Sequence, residues 1–433
     1  MTNFARAEQV RSDTSGNGRK PPETLRLAYL IGTYPGLTTT FIDREVRALC
    51  AWGVNLQIVA IHRPDNPAAL SPDQSALQTG AIYLLPAAPI TLLLAHLYFL
   101  LVRPFVYVRT LAFLVTRPHP SLGSRLRTVQ HFGMAVYAAY LLRDQSLTEL
   151  HAHFIDRTAT LALVAARLLG IPYSLSIHAG ADVFVERVLV DEKIAEARHA
   201  VTCTLHNRTY LESVLGRDLK DKISHVRHGL SLSLYRPQAR RPANGKPLIL
   251  SVGQLAERKG FAQLIEVCSL LKAQGHEFRC EIVGEGPQRA RLERMIDALA
   301  LHDTVTLCGA LRHGEVIKKY DDATLFALLC IVTAEGDMDG IPNVIAEAMA
   351  MRAPVVSTTV SAIPELVIDG VNGLLAPPGD TTAAAAAIAR LLDESDLRQH
   401  LADNARRTIE DTFDVDCNVR RFAATLWPEW FRN

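Results

Sequence analysis

Two carboxylates, Asp339 and Glu347, lie eight positions apart across a junction between a loop and a predicted helix. Pro342 suits the first position of that helix, because proline has no N–H to leave unpaired and its φ is already helical. The unpaired N–H groups of a first helical turn form an anion site. At about 1.5 Å per residue, Glu347 lies about 7.5 Å further along the axis, within reach of a ribose attached to a bound phosphate. The pattern is typical of a nucleotide diphosphate site, to which we assign Gly340, Ile341, Pro342 and Asn343.

A second set of polar residues stands where the predicted strand Leu248–Val252 meets the following helix. Gly253 and Gln254 leave this strand, and Arg258 and Lys259 follow shortly after. Side chains at the carboxyl end of a first strand lie beside the ligand crevice of an open α/β sheet. The two cations are therefore placed to neutralise a diphosphate. The alternative is a solvated turn that carries two adjacent charges.

A histidine marks the carboxyl end of another predicted strand. His178 follows Tyr173–Ile177, and Asp182 comes four residues later. The end of a parallel strand faces the same crevice, so His178 is predicted to contact the ligand from a second wall. His151 and His153 belong to the preceding strand-like run, and we interpret them as structural.

The elements that must position these residues alternate between strand and helix. The chain opens with a strand at 25–31, a helix at 41–52 and a strand at 54–61. Such alternation is typical of a parallel, doubly wound sheet. Further strands are predicted at 150–154, 173–177, 200–204, 222–226, 248–252, 278–283, 305–307, 327–332, 355–358 and 373–376, with helices at 158–169 and 381–392.

A linker divides the predicted elements into two series. Residues 236–247 are rich in proline, charge and small side chains and lack apolar periodicity. A chain of 433 residues is also long for a single core. We therefore predict an α/β protein with two Rossmann-like, doubly wound parallel-sheet domains that face each other across a cleft. The predicted boundaries are a disordered tail at 1–22, domains at 23–240 and 241–410, and a carboxy-terminal helix at 411–433.

Composition narrows the partners and the compartment. A net charge of +1 gives no general reason to expect a nucleic-acid partner. Seven cysteines are dispersed without a C-x-x-C pair, which is typical of reduced thiols in a cytosolic protein. The first 22 residues are polar and lack the apolar core of a signal peptide. We therefore predict a cytoplasmic protein.

One segment of the first domain, 85–143, has an unusual composition. It contains no Asp or Glu, and its apolar run at 90–102 is shorter than the roughly 20 residues that span a bilayer. An apolar, aromatic surface flanked by arginine suits a helix pair lying on an anionic membrane surface. The alternative is a helical insertion packed on the sheet. Its arginines are Arg103, Arg109, Arg117, Arg125, Arg127 and Arg143.

The run from Asp339 to Glu347 resembles the E-x7-E signature of retaining glycosyltransferases with the GT-B architecture, specifically glycosyltransferase family 4. The resemblance implies that the first carboxylate contacts the transferred sugar, the second holds the ribose, and the intervening amides bind the diphosphate. Asp339 stands where the family has Glu, and Gln254 stands where it usually has Arg. Lys259 carries over directly, so the second positive charge comes from Arg258, from elsewhere or not at all.

Other segments share this resemblance. The turn that contains Glu285 and Gly286 matches the family's G-x-G-P turn, and the loop that contains Gly36 resembles one that faces the ligand cleft. The segment from His178 to Asp182 resembles an H-x-x-x-D loop whose histidine reaches the sugar or the phosphate. In the family the final helix crosses back onto the first domain.

The predicted function is transfer of a sugar, with retention, from a UDP- or GDP-sugar to a lipid-linked or glycan acceptor in exopolysaccharide or cell-envelope glycan biosynthesis. The D-x-D pair Asp337 and Asp339 is interpreted as accidental, so we expect no metal and no cofactor. The predicted location is the inner face of the cell membrane. Two alternatives stay open: a GT-B sugar-nucleotide epimerase or hydrolase, and a non-catalytic polysaccharide-assembly protein with the same fold.

Overall fold

Strands and helices alternate in the computed structural model, which describes residues 25–36, 40–64, 67, 70, 72–178, 180, 182–238 and 245–431. The predicted tail at 1–22 and residues 239–244 of the predicted linker lie outside these ranges. The strands are β1 (Arg26–Thr33), β2 (Asn55–His62), β3 (Ile82–Tyr83), β4 (Glu149–His153), β5 (Tyr173–Ile177), β6 (Ala200–Thr202), β7 (Ile223–His225), β8 (Leu248–Val252), β9 (Arg279–Val283), β10 (Val305–Gly309), β11 (Leu325–Ala327), β12 (Val355–Thr358) and β13 (Leu374–Ala376). The helices are α1 (Thr40–Ala51), α2 (Pro72–Leu77), α3 (Pro89–Val102), α4 (Pro104–Thr116), α5 (Leu122–Leu142), α6 (Arg157–Leu169), α7 (Val190–Glu196), α8 (Leu205–Leu215), α9 (Phe261–Ala273), α10 (Arg289–Ala298), α11 (His313–Asp322), α12 (Asn343–Ala350), α13 (Thr381–Asp393), α14 (Ser395–Thr412), α15 (Val415–Leu426) and α16 (Pro428–Phe431).

The strands form two parallel sheets. The first has the order β3-β2-β1-β4-β5-β6-β7 and the second the order β10-β9-β8-β11-β12-β13. In the first sheet β1 lies parallel to both β2 and β4, and in the second β8 lies parallel to both β9 and β11. The strand order therefore reverses beside β1 and beside β8, which are the switch points where doubly wound sheets bind ligands. The predicted fold class is confirmed.

The central strands of both sheets are buried. All five residues of β4, of β5 and of β8 are buried. Strand β8 is a near-continuous apolar run, as parallel strands buried on both faces usually are, whereas β4 and β5 carry the buried polar residues Glu149, His151, His153, Ser174 and Ser176. Each domain has its own large core of buried side chains.

The strand predicted at 327–332 is wrong in its extent, because β11 ends at Ala327. The following segment is apolar and largely buried, as the sequence indicates. The carbonyls of Leu328 and Cys330, however, accept hydrogen bonds from side-chain hydroxyls of β12 at 2.7 and 2.6 Å. These hydroxyls replace ladder partners, so buried apolar character continues after the strand has ended.

The predicted position of Pro342 is wrong by one residue. Pro342 has φ −62° and ψ 123°, and it is the residue before α12 rather than its first residue. A ψ of 123° is extended, so the helix begins at Asn343. The unpaired amides of the helix start are shifted by one position accordingly.

The chain crosses between the two domains twice, at neighbouring places. It leaves the first domain after Leu230 and returns after α14, where Leu230 and Asp414 form an isolated parallel bridge. Leu230 N donates to Phe413 O at 2.7 Å, and Val415 N donates to Leu230 O at 3.1 Å. Helix α15 then packs on α1 and β6, and Trp427 behind it is fully buried.

The segment 85–143 forms three helices. Helix α5 packs on α6, and α3 packs on α5. Helix α3 ends before Arg103, because Pro104 starts α4 and cannot continue the hydrogen bonding of a helix interior. No described helix is by itself long and apolar enough to cross a bilayer, and α3 and α4, which meet at 112°, satisfy the length and composition criteria only as a pair.

Candidate functional site

A compact charge cluster lies at the carboxyl end of β8. Arg258 and Lys259 belong to a 3-10 turn that follows this strand. Lys259 Nζ is 3.0 Å from Asp339 Oδ2, and Arg258 Nε is 3.3 Å from Asp339 Oδ1. Arg258 Nη1 also lies 3.3 Å from Asp337 Oδ2. The structure thus brings three predicted site residues together, and both carboxylates of the D-x-D pair contact one guanidinium.

The loops that leave β8 and β9 lie against each other. Leu255 N donates to Glu285 O at 2.9 Å. A Cβ on Gly284, whose φ is +145°, would lie 1.8 Å from Gly253 O, and a Cβ on Gly286 would lie 2.6 Å from Leu255 O. Only glycine permits backbones to approach so closely. The two glycines of the predicted turn therefore fix the edge of the crevice beside Lys259.

The other two predicted residues of this edge, Gln254 and Glu285, have exposed side chains. Gln254 is exposed. The Glu285 side chain is also exposed, and its Oε1 lies 2.7 Å from Arg289 Nη1 on α10. Glu285 therefore contributes its backbone to the loop, while its carboxylate faces a solvated ion pair.

Two predicted residues lie on loops of the first sheet. Gly36 follows β1, and its carbonyl accepts a hydrogen bond from Gln74 Nε2 at 3.4 Å. Asp182 begins a π-helical turn, Asp182–Glu186, beyond the end of β5. Both residues are thus at carboxyl ends of strands, as the sequence analysis predicted for the crevice of the first domain.

Glu347, predicted to hold a ribose, is ion-paired with the first domain. Its Oε1 lies 3.2 Å from Arg44 Nη2 on α1, and its Oε2 lies 3.4 Å from the Tyr320 hydroxyl. Arg44 also donates to Gly229 O and to the Tyr235 hydroxyl, each at 3.2 Å. The Arg44 and Glu347 side chains are only 10% and 8% exposed. A ribose that contacts Glu347 must therefore hydrogen-bond a carboxylate that is already paired with Arg44.

A second carboxylate joins the domains at a helix start. Glu365 of the second domain accepts hydrogen bonds from Leu205 N at 2.9 Å and His206 N at 2.7 Å. These amides open α8 of the first domain. A carboxylate is favourable there because the first amides of a helix are unpaired and carry partial positive charge.

His178 occupies the centre of a row of hydrogen-bonded side chains. His178 Nε2 is 3.2 Å from His153 Nδ1, and His178 Nδ1 is 3.2 Å from His228 Nε2. His153 Nε2 in turn lies 3.4 Å from Glu45 Oε1. At the other end, His228 hydrogen-bonds the side chain of Asn343, the first residue of α12. The hydrogen bonds of the row therefore run from His153 of the first domain to the helix start of the second.

The two central histidines of the row, His178 and His228, are neutral at physiological pH. Burial first, and then the neighbouring His228 and His153, lower the pKa of His178 well below its usual value. Burial also lowers the pKa of His228 to about 4. A neutral imidazole has one donor and one acceptor nitrogen, so each hydrogen bond in the row fixes the direction of the next.

Sequence reasoning missed His228, although the signal for it was present. His228 follows β7 as His178 follows β5, and both strands belong to one parallel sheet. The Phe41 ring stacks on His228 with centroids 4.2 Å apart and planes at 9°. The positional argument that selected His178 therefore selects His228 as well.

His151 has the structural environment that the sequence analysis predicted for it. Its ring nitrogens lie 2.9 Å from Ser174 Oγ and 2.9 Å from Ser176 Oγ, and the residue is fully buried. Burial lowers the pKa of His151 well below 6.5, so the unfolded chain gains a proton near pH 6.5 that the folded chain does not. We expect stability to fall as the pH drops below 6.5, by up to about 2 kcal/mol from this group near pH 5.

Urea unfolding near pH 7.5 and near pH 5 measures this effect. The His151→Gln variant cannot titrate at this position, so its free energy of unfolding should lose about 2 kcal/mol less on acidification than that of the wild type. An equal loss in the two proteins would contradict the assignment.

The carboxy-terminal half of the chain, which contains the charge cluster, matches a known protein family. Residues 236–408 match the family described as "Glycosyl transferases group 1". The match confirms the family resemblance inferred from the motifs.

Two curated relatives are similar over about half of their length. The chain is 39% identical over 211 residues to a putative colanic acid biosynthesis glycosyltransferase, WcaL, of Escherichia coli K12, covering 48% of this chain and 51% of the relative. It is 38% identical over 207 residues to the amylovoran biosynthesis glycosyltransferase AmsK of Erwinia amylovora, with the same coverage.

Solved structures match nearly the whole chain in fold. A sucrose-phosphate synthase from Thermosynechococcus elongatus superposes with a TM-score of 0.70 at 20% identity and covers 94% of this chain and 99% of its own. HepE from Anabaena in complex with UDP and glucose gives a TM-score of 0.70 at 15% identity, over 93% of this chain and 99% of its own. The GT-B architecture predicted from the sequence is confirmed.

Proposed function

We propose that this chain is a retaining glycosyltransferase that uses a nucleotide diphosphate sugar. The observation that carries the proposal is that Asn343 at the start of α12 meets His228 of the opposite domain, which is hydrogen-bonded to His178, while Lys259 and Arg258 pair with Asp339 of the loop before that helix. The cations and helix amides suit a diphosphate, and the histidines suit a sugar held between the domains. Relatives named for colanic acid and amylovoran biosynthesis support a glycan acceptor in exopolysaccharide assembly.

The chemistry follows from where negative charge develops. The bond between the sugar C1 and the phosphate oxygen breaks, and the acceptor oxygen bonds to C1 on the same face. The departing diphosphate takes the proton of the acceptor hydroxyl, so no protein nucleophile is required. Lys259 and Arg258 stabilise the charge on the leaving group, His178 faces the sugar or the phosphate from the opposite wall, and Glu347 orients the ribose. Asp339 has one methylene less than the family's Glu, so it selects a sugar that sits about 1.5 Å closer.

A panel of sugar nucleotides tests the donor assignment. A ligand that binds only the native state raises the unfolding temperature, so one UDP- or GDP-sugar should stabilise the chain more than its free sugar does. We expect transfer to continue after chelation, because cations of the protein serve the diphosphate. Release of free sugar without an acceptor would favour a hydrolase, epimerised donor an epimerase, and donor binding without turnover a non-catalytic assembly protein.

We further propose a membrane-bound, lipid-linked acceptor, supported by the exposed surface of α3, α4 and α5. Phe105 is 88% exposed, Leu101 80% and Ile90 75%, which is unusual for large apolar side chains. Exposed Arg103, Arg109 and other arginines border them, as anionic lipid headgroups require. This apolar face comprises Ile90, Leu93, Leu94, Leu97, Leu100, Leu101, Val102, Phe105, Val108, Leu122 and Leu126.

Vesicle flotation tests the apolar face. The double variant Leu101→Asp/Phe105→Asp should lose at least about 100-fold in binding to vesicles with anionic lipid, because each buried side chain contributes about 1.5–3 kcal/mol. Val371→Asp, at an apolar side chain 48% exposed in the second domain, is the matched control and should bind as the wild type does. Equal flotation of the double variant and the control would remove the proposal.

A further inference from the structure

Three potential metal ligands stand at the carboxyl ends of three neighbouring strands. His178 follows β5, Cys203 follows β6 and His228 lies beyond β7. We propose that His178, Cys203 and His228 form a site for Zn²⁺, whose occupation blocks the cleft. Two imidazoles and one thiolate are ligands that zinc prefers, and three protein ligands leave a fourth position for water.

The separations fit tetrahedral coordination after a small adjustment. His178 Nδ1 and His228 Nε2 are 3.2 Å apart. Zinc–nitrogen bonds at tetrahedral angles place two nitrogens about 3.3 Å apart, so an ion can replace the proton that the two rings share. The Cys203 sulfur lies within 4.8 Å of a ring nitrogen of each histidine. A displacement of about 1 Å brings it to the separation that tetrahedral zinc–sulfur and zinc–nitrogen bonds require.

Outer contacts already orient both imidazoles. A metal-bound histidine usually uses its second nitrogen for a hydrogen bond to a fixed partner. His178 Nε2 faces His153, which in turn meets the Glu45 carboxylate, and His228 faces the Asn343 side chain.

The position of the site decides its effect. The three residues line one pocket of the first domain, which Phe41 and Arg227 also line. His178 is the proposed sugar contact, so an ion bound there excludes the sugar. Zinc therefore acts as an inhibitor, and this part of the inference rests on the proposed function. Turnover does not depend on this metal site, because Lys259 and Arg258 supply the positive charge that the diphosphate requires.

Cobalt(II) titration of the full chain, stripped of metal with a chelator, tests the site without an activity assay. We expect one Co²⁺ per chain, a near-ultraviolet thiolate-to-cobalt charge-transfer band, and loss of both signals on adding Zn²⁺. Cys203→Ser should abolish the band, and His228→Asn should weaken binding at least tenfold. The control Cys50→Ser/Cys417→Ser removes the two exposed thiols and should keep the band.

Two further measurements keep the outcome decisive. Unfolding temperatures without metal should agree for the wild type and Cys203→Ser, which separates lost ligation from lost folding. If the wild type shows no band, or if Cys203→Ser retains it, the site does not exist. Zinc should inhibit sugar transfer at least tenfold in the wild type and not in Cys203→Ser. Bound cobalt in a chain whose transfer activity is insensitive to zinc would overturn the inhibitory role.

Discussion

Replacing Lys259 by Met should lower kcat by about 100- to 1,000-fold, the usual cost of removing one preorganised group that stabilises developing negative charge. Methionine keeps most of the length of the side chain and removes the charged ammonium group. Lys259 is 12% exposed and lies 3.0 Å from Asp339, so its charge acts in a partly desolvated site where it is worth more than in bulk water. The loss should fall on kcat more than on KM, because the diphosphate gains charge as it departs.

Two variants control this experiment. Lys259→Arg keeps the charge and should lose less activity than Lys259→Met. Lys272→Met removes a lysine from α9 that is 41% exposed and pairs with Asp303, and it should leave kcat unchanged. If Lys259→Met keeps kcat within about threefold of the wild type, the cation does not stabilise the leaving group.

Replacing Glu347 by Ala lowers the free energy of unfolding by about 3–5 kcal/mol, because it leaves the Arg44 guanidinium buried without its carboxylate. Arg44 keeps hydrogen bonds to Gly229 O and to Tyr235, which places the expected loss toward the lower end of that range. Chemical denaturation measures the change. Glu394→Ala is the matched control, since its pair with Arg390 is about half exposed and should contribute no more than about 1 kcal/mol.

A double variant separates lost pairing from lost packing. Arg44→Met/Glu347→Met removes both charges and should recover most of the stability that Glu347→Ala loses, because the remaining cost of burying an unpaired charge disappears. Donor affinity should stay reduced in the double variant, since no carboxylate remains for the ribose. Donor affinity equal to that of the wild type would remove the ribose assignment while leaving the structural prediction intact.

The sequence predicted the strands well for a physical reason. Residues 248–252 are all buried, and a parallel strand that is buried on both faces favours apolar side chains. It failed at 327–332 because burial continues where the ladder has ended. Local composition predicts whether a segment is buried, but it does not predict which donor forms the hydrogen bond to a given backbone carbonyl.

The contacts between the domains could not be predicted either, because local composition does not identify the partner of a side chain. Arg44 and Glu347 are 303 positions apart, and nothing local in α1 distinguishes an arginine that pairs across a cleft from one that meets solvent. The motifs around Lys259 and Asp339 were accessible because each stands at a strand or helix end whose position the alternation predicts. Their mutual contact, across 80 residues, emerged only with the fold.

The paired crossings at Leu230 and Asp414 limit how the two halves of the molecule can move. A single connecting strand lets two domains twist freely. Two strands that are hydrogen-bonded side by side resist twisting, because a twist distorts the hydrogen bonds that Leu230 makes to Phe413 and Val415. A Cβ on Gly229 would lie 2.3 Å from Val415 Cα, so the strands have little room to slide. Bending about the paired crossings distorts these hydrogen bonds less than twisting does. We therefore expect any opening of the cleft to be a bending motion about this pair, in which the two walls keep their registration.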